Sequence, residues 1–159
     1  MRKLLIVTAH PMTVFSFLIP HIKVLSKTMQ ISIATNQRCS DLLSGIQDEC
    51  ALYQLDMARG FSPWVDLKAL IQMLGTIIRT RLTVIHTVTP KAGFIGMVAA
   101  CILHVPIRIH TFTGQIWYNK KGITRWIFQK IDTVIASCAT DVLVDSPSQK
   151  NLLLSCGIV

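Results

Sequence analysis

Apolar positions in this chain fall in short unbroken runs, separated by longer stretches that repeat at helical spacing. Lys3–Thr8 is a continuous apolar run, the pattern of a strand buried on both faces. Thr13–Ser26 follows with Phe17, Leu18, Ile22 and Leu25 near helical spacing, and Pro20 inside it predicts a kink or an early break. Gln30–Ala34 reads as a second strand, Asn36–Cys50 as a short helix followed by a turn, and Leu52–Leu55 as a third strand. Ser62 is then a good N-cap, with Pro63 at the first helical position and Asp66 in the first turn. That helix carries Leu67, Leu70, Ile71, Leu74 and Ile78. Leu82–Ile85 is the fourth strand, Pro90–Leu103 a helix and Ile107–His110 the fifth strand. Gly122–Cys138 is a helix with Ile123, Trp126, Ile127, Ile131 and Val134 as its apolar set, and Asp141–Val144 is the sixth strand. Ser146 or Ser148 opens a last helix that Gly157 closes.

Strands alternating with helices predict an α/β fold: a Rossmann-like parallel sheet with right-handed crossovers and helices on both faces. In such a sheet, ligands bind in the crevice beyond the carboxyl ends of the strands. The segment from Leu82 to Gly114 supplies two of those ends. His86, Thr89, Lys91, His110, Thr113 and Gly114 are therefore candidates for one site. Thr89 is placed to cap the next helix, Pro90 suits its first turn, and free N–H groups there favour an anion. His110 precedes Thr111 and can equally face the opposite side of the sheet and serve packing. Lys91 opposes the helix dipole unless an anion binds beside it or solvent covers it. His10 and Thr13 stand in the first loop, and Arg59 follows the third strand, where it would meet a phosphate or form a surface salt bridge.

Composition narrows the partners. The 159 residues suffice for one domain with a real core, and 51% hydrophobic against 15% charged residues marks a globular chain. A net charge of +8 favours something anionic: a phosphorylated substrate, an anionic membrane surface or nucleic acid. No nucleic-acid motif is present, so that partner ranks last. The five cysteines form no C-x-x-C pair, which argues against a disulfide framework and against zinc. Cys101 and Cys138 read as reduced core residues, as suits the cytoplasm. The apolar start lacks a cleavage site, and no apolar run is long enough to cross a bilayer. Dinucleotide-binding glycines, a P-loop and a G-x-S-x-G elbow are all missing.

Several segments together resemble the N-terminal half of bacterial family 4 glycosyltransferases. They are Arg59-Gly-Phe-Ser-Pro-Trp-Val-Asp-Leu67, His86-Thr-Val-Thr-Pro-Lys-Ala-Gly93, Thr111-Phe-Thr-Gly114 and Val142-Leu-Val-Asp-Ser-Pro-Ser148. The second is the most specific, and the resemblance covers nearly the whole chain. These are retaining enzymes of the GT-B type, in which two Rossmann-like domains face each other across a cleft. The resemblance implies that residues 1–159 are the acceptor-binding domain, and that the domain holding most of the nucleotide-sugar donor is absent from this sequence. A truncated product or gene fragment, inactive alone, is then expected.

The implied acceptor is a polyprenyl-diphosphate-linked sugar or a saccharide, in O-antigen or capsule assembly at the inner face of the cell membrane. His10, Thr13, Arg59, His86, Thr89, Lys91, Thr113 and Gly114 become acceptor- or diphosphate-binding candidates; no catalytic base, metal or cofactor is implied. Three positions depart from the family pattern: Val88 and Thr113 stand where members often have histidine, and Ala9-His10-Pro11 where many have glycine. Trp117, Tyr118, Lys120, Lys121, Arg125, Trp126 and Lys130 form a basic, aromatic stretch suited to anionic lipid headgroups; alternatively Trp126 packs in the core and the lysines are solvated. Two other classes remain open: a non-catalytic binding or partner module, and an epimerase of related fold.

Overall fold

The computed structural model describes residues 1–36, 50–57, 60 and 62–159. Arg59, Cys39 and most of the stretch expected as a short helix after Asn36 lie outside the described residues. The strands are β1 (Arg2–Thr8), β2 (Met29–Thr35), β3 (Ala51–Gln54), β4 (Val84–Val88), β5 (Ile107–Phe112) and β6 (Asp141–Val144). All pair in parallel, in the order β3-β2-β1-β4-β5-β6. The apolar run of β1 follows from this place: it pairs with β2 on one side and β4 on the other, and Leu4–Val7 are buried on both faces.

Two layers cover the sheet. On one face, α1 (Pro11–Thr13), a π-helical turn (Val14–Leu18) and α2 (Ile19–Leu25) set Val14, Leu18 and Ile22 against Leu4, Ile6, Ile31, Ile33, Val84 and Val88. Pro20 sits in the first turn of α2, directly after the π turn. A proline has no N–H to donate, so the expected break falls at a wider turn and a fresh helix start. The other face carries α3 (Pro63–Thr80), α4 (Pro90–Ile102), α5 (Gly122–Cys138) and α6 (Pro147–Ser155). Their core includes Met73, Ile95, Ile135 and Leu153 against Leu5, Val7, Ile85 and Phe112.

Several elements depart from the expectation. β4 runs on to Val88 and β5 to Phe112, because Thr87 and Val88 pair with His110 and Thr111. The Ser62 side chain does not cap α3; instead Asp66 Oδ2 accepts the Ser62 N–H at 3.2 Å. Ser146, not Ser148, caps α6, accepting the Gln149 N–H at 3.2 Å. On α5 the core-facing residues are Phe128, Ile131, Asp132 and Ile135, whereas Ile123, Trp126, Ile127 and Val134 are exposed. Cys101 is exposed and Cys138 half-buried, so neither is the fully buried core residue expected. α4 lies tight on the sheet because Gly93 and Gly96 lack side chains. A Cβ at Gly93 would stand 2.4 Å from His110 Cε1, and one at Gly96 2.5 Å from Thr87 Cγ2.

Candidate functional site

β1 lies beside β2 on one side and β4 on the other, so chain direction across the sheet reverses between β1 and β4. The crevice at that switch point is where an α/β sheet of this kind takes ligands. Two loops meet there. Thr89, between β4 and α4, accepts the Ala9 N–H on Oγ1 at 3.3 Å. Its side chain makes no capping bond to α4, so the cap expected of it is not formed and its hydroxyl serves the cross-loop bond instead. Thr89 holds φ 82° and ψ 144°. A β-branched residue at positive φ is strained by about 1–3 kcal/mol, and such strain gathers at functional sites. The first-turn N–H groups of α4 open beside it, with no carbonyl inside the helix to accept them.

His10 stands on the opposite rim. Its Nδ1 accepts the Met12 N–H at 3.3 Å, so the neutral ring carries its proton on Nε2. Its carbonyl accepts from Thr8 Oγ1 at 3.1 Å and from the Thr13 N–H at 3.1 Å, which folds Thr13 back over the same loop. Lys91 is largely covered: Nζ lies 2.7 Å from Asp66 Oδ1 and 2.5 Å from the Gly60 carbonyl. It thereby ties the start of α4 to the start of α3, rather than standing as a solvated lysine.

His86 and His110, expected at the ends of their strands, both lie inside them. His86 is the middle residue of β4 and faces the α1–α2 layer, with Nε2 2.8 Å from Thr111 Oγ1. Burial, then the charge of His21, lowers its pKa. His110 is fully buried on the other face, Nδ1 2.7 Å from Thr87 Oγ1, its ring edge-on to Phe112 at 4.5 Å. Burial, then the charge of His86, lowers its pKa to about 4. It fills the space that Gly93 leaves, which is the packing alternative.

A second opening lies beyond β5 and β6. Thr113, Gly114, Gln115, Tyr118, Asp145 and Ser146 are among the residues around a cleft of about 520 Å³. Gly114 has φ 108°, a backbone that favours glycine. Gln149 braces the wall: Oε1 accepts the Asp145 N–H at 2.7 Å, and Nε2 reaches Gln115 Oε1 at 3.4 Å. Gln115 Nε2 is buried and has no hydrogen-bond partner among the described residues. Among the described residues the lining holds one carboxylate and no cation. Sequence reasoning found Thr113 and Gly114 here but missed Gln115 and Asp145; the capping pattern at Ser146 was the available signal.

Of the basic, aromatic stretch, Trp117 is not at the surface. It is fully buried, donating from Nε1 to Asp132 Oδ2 at 2.6 Å, with the Arg125 guanidinium 5.5 Å from its ring centre. An indole placed between the loop after β5 and α5 buries a large apolar area, and Asp132 satisfies its one donor. Burial raises the Asp132 pKa to about 6 against the opposing pull of that hydrogen bond. Lys120, Lys121 and Lys130 are exposed, and Arg125 is half-buried.

The family pattern of the glycosyl transferase 4-like domain matches residues 27–158. The chain belongs to that family. Among named relatives, it is 31% identical over 104 residues to the capsular polysaccharide biosynthesis glycosyltransferase CapM of Staphylococcus aureus, covering 65% of this chain and 27% of the relative. It is 24% identical over 94 residues to the UDP-Gal:alpha-D-GlcNAc-diphosphoundecaprenol alpha-1,3-galactosyltransferase of Escherichia coli, covering 58% of this chain and 24% of that one. The chain thus spans about a quarter of the length of these relatives. Among solved structures, Acinetobacter baumannii MurG shares the fold with a TM-score of 0.67 at 16% identity, over 93% of this chain and 42% of its own. Neisseria meningitidis UDP-GlcNAc 2-epimerase, bound to UDP-GlcNAc, does so with a TM-score of 0.72 at 18% identity, over 99% and 44%. The glycosyl transferase 4-like domain is therefore seen here as one Rossmann-like sheet of the kind that forms a single domain in larger two-domain GT-B proteins.

Proposed function

We propose that this domain is the acceptor-binding half of a retaining glycosyltransferase, and that its acceptor is a polyprenyl-diphosphate-linked sugar used in envelope polysaccharide assembly. The observation that carries the reading is the strained Thr89, joined to the first loop at the switch point, in a chain of this family. The diphosphate sits at the first turn of α4, with His10 and Thr13 on the far rim, because helix N–H groups offer fixed donors to an anion. The sugar lies toward Thr113 and Gly114, where the described lining offers hydrogen-bonding groups and no cation. The names of the two relatives support capsule or lipid-diphosphate acceptors.

The nucleotide-sugar donor would be held mostly by a second domain. Transfer would then proceed by electrostatic stabilisation of the leaving diphosphate, with preoriented helix dipoles and no reorganisation cost. Residues 1–159 alone are expected to bind acceptor without transferring sugar.

The test is titration of the isotopically labelled chain with a short-chain, water-soluble polyprenyl-diphosphate sugar. Saturable NMR shifts are expected at Ala9–Thr13, Thr89–Ala92 and Thr113–Gln115. No saturable shift there would overturn the reading. Binding without transfer, once a family donor domain and nucleotide-sugar are supplied, would assign the chain as a binding module.

A further inference from the structure

Two cysteines stand at the same end of the layer that α4 and α5 form. Cys101 is next to the last residue of α4, and Cys138 is the last residue of α5. The two helices pack side by side. Arg108 of β5 joins their ends. Its Nε donates to the Cys138 carbonyl at 2.6 Å, and its Nη1 to the Val105 carbonyl at 2.6 Å. Val105 in turn donates its N–H to the Ala100 carbonyl at 2.9 Å, so one guanidinium ties the last turn of α4 to the last residue of α5.

The side chains meet as well. Burial raises the pKa of Cys138, and after it the Cys101 thiol raises it further by hydrogen bond and charge. Cys101 is exposed and Cys138 half-buried. A disulfide needs backbones within about 7 Å and side chains turned toward each other, which few cysteine pairs satisfy. An exposed thiol beside a sheltered one also divides the work of a redox site. The outer sulfur meets the oxidant, and the inner one resolves the product before it goes on to irreversible acids. Cys50 lies in the layer on the opposite face of the sheet, and Cys156 Sγ accepts from Gln129 Nε2 at 3.8 Å.

We propose that Cys101 and Cys138 form a reversible disulfide, closed by a peroxide-class oxidant and reopened by a low-molecular thiol. The Cys101 sulfur attacks one peroxide oxygen, and the O–O bond breaks. The leaving hydroxide takes the thiol proton as water, which leaves a sulfenic acid. The Cys138 sulfur then attacks the Cys101 sulfur. The S–S bond forms, the S–O bond breaks, and the hydroxyl leaves as water with the Cys138 proton. The two thiols lose two electrons, and the peroxide gains them. Reopening takes two external thiols, the first forming a mixed disulfide and the second releasing it as their own disulfide. The crevice meets α4 at its first turn, so oxidant and crevice ligand act at opposite ends of that helix. The proposal does not depend on the transferase reading.

The test is peptide mapping of the full chain, reduced and then treated with hydrogen peroxide. Remaining thiols are blocked with N-ethylmaleimide and the chain is cut with trypsin without reductant. Ala92–Arg108 and Ile131–Lys150 each carry one of the two cysteines and no other. Mass spectrometry is expected to find these peptides joined, about tenfold or more above any other cysteine pairing, and separate again after glutathione. In urea that preference should vanish. Cys101→Ser, a substitution at an exposed position, should abolish the joined pair, and Cys138→Ser should leave Cys101 as a sulfenic acid that dimedone traps. Peptides that stay separate after oxidation, a pairing no more frequent in the native chain than in urea, or a link found only between two chains would each overturn the proposal.

Discussion

Replacing Asp132 by asparagine should stabilise this domain at neutral pH, and the size of the gain follows from the burial of one carboxylate. Asp132 is 3% exposed, with its hydrogen bond from Trp117 Nε1. Its pKa in the fold is about 6, against 3.8 for an ordinary aspartate. The raised value means that the folded state prefers the protonated acid. Its contribution is therefore fully present below pH ~4 and is lost as the pH rises through 6. Just over two units at ~1.4 kcal/mol each make the cost of the charged form about 3 kcal/mol at pH 7. Asparagine keeps an oxygen to accept the indole N–H and carries no charge.

Urea unfolding of both proteins should thus show Asp132→Asn ahead by about 3 kcal/mol at pH 7, and by only about 1 kcal/mol at pH 4.5. The histidines titrate alike in both proteins and cancel in the difference. A gap that stays constant with pH, or an asparagine variant weaker than the parent at pH 7, would refute the argument that burial dominates this carboxylate.

Other expectations rest on separate contacts. His110, with its pKa lowered to about 4, must stay neutral in the fold; in the Asp132→Asn background, where the opposing gain from protonating Asp132 is absent, stability should fall by roughly 3 kcal/mol as pH drops from 6.5 to 4, and ¹⁵N-histidine spectra should show one ring unprotonated to about pH 4. Gly93→Ala should lose about 1–3 kcal/mol by driving a methyl into that ring, and His110→Ala should remove most of the added penalty in a double-mutant cycle. At position 89, glycine should be more stable than alanine by about 1 kcal/mol, since both lose the bond from Ala9 but only glycine relaxes at positive φ; equal stabilities would show that the backbone there is unstrained.

The alternation of strands and helices was readable because β1, β4 and α4 are apolar enough to have few other fates, and the crevice follows from sheet order. What remained hidden was orientation. The length of β4 depends on its pairing with β5, so His86, expected where the strand gives way to the loop, stands mid-strand. On α5, a row of isoleucines and a tryptophan at helical spacing pointed to the core. Of that row Ile131 alone packs inward, beside Phe128, Asp132 and Ile135, with Asp132 taking the Trp117 indole N–H. A lone carboxylate among the inward residues hides the register from any hydrophobic count. The cleft beyond β5 and β6 is assembled from residues over thirty positions apart, such as Gln115 and Gln149, and no local pattern joins them.

The pairing of β1 with β4 also sets a schedule for synthesis. Leu4 meets its neighbour Val84 only after eighty further residues have been added. At 5–20 residues per second on the ribosome, the apolar centre of the first strand waits about 4–16 s for that partner. Through that interval Leu4-Leu5-Ile6-Val7 has at most β2 beside it and one edge open. One edge of β1 thus stays open while eighty residues are added, which makes the growing chain a natural client for chaperones that hold nascent hydrophobic segments.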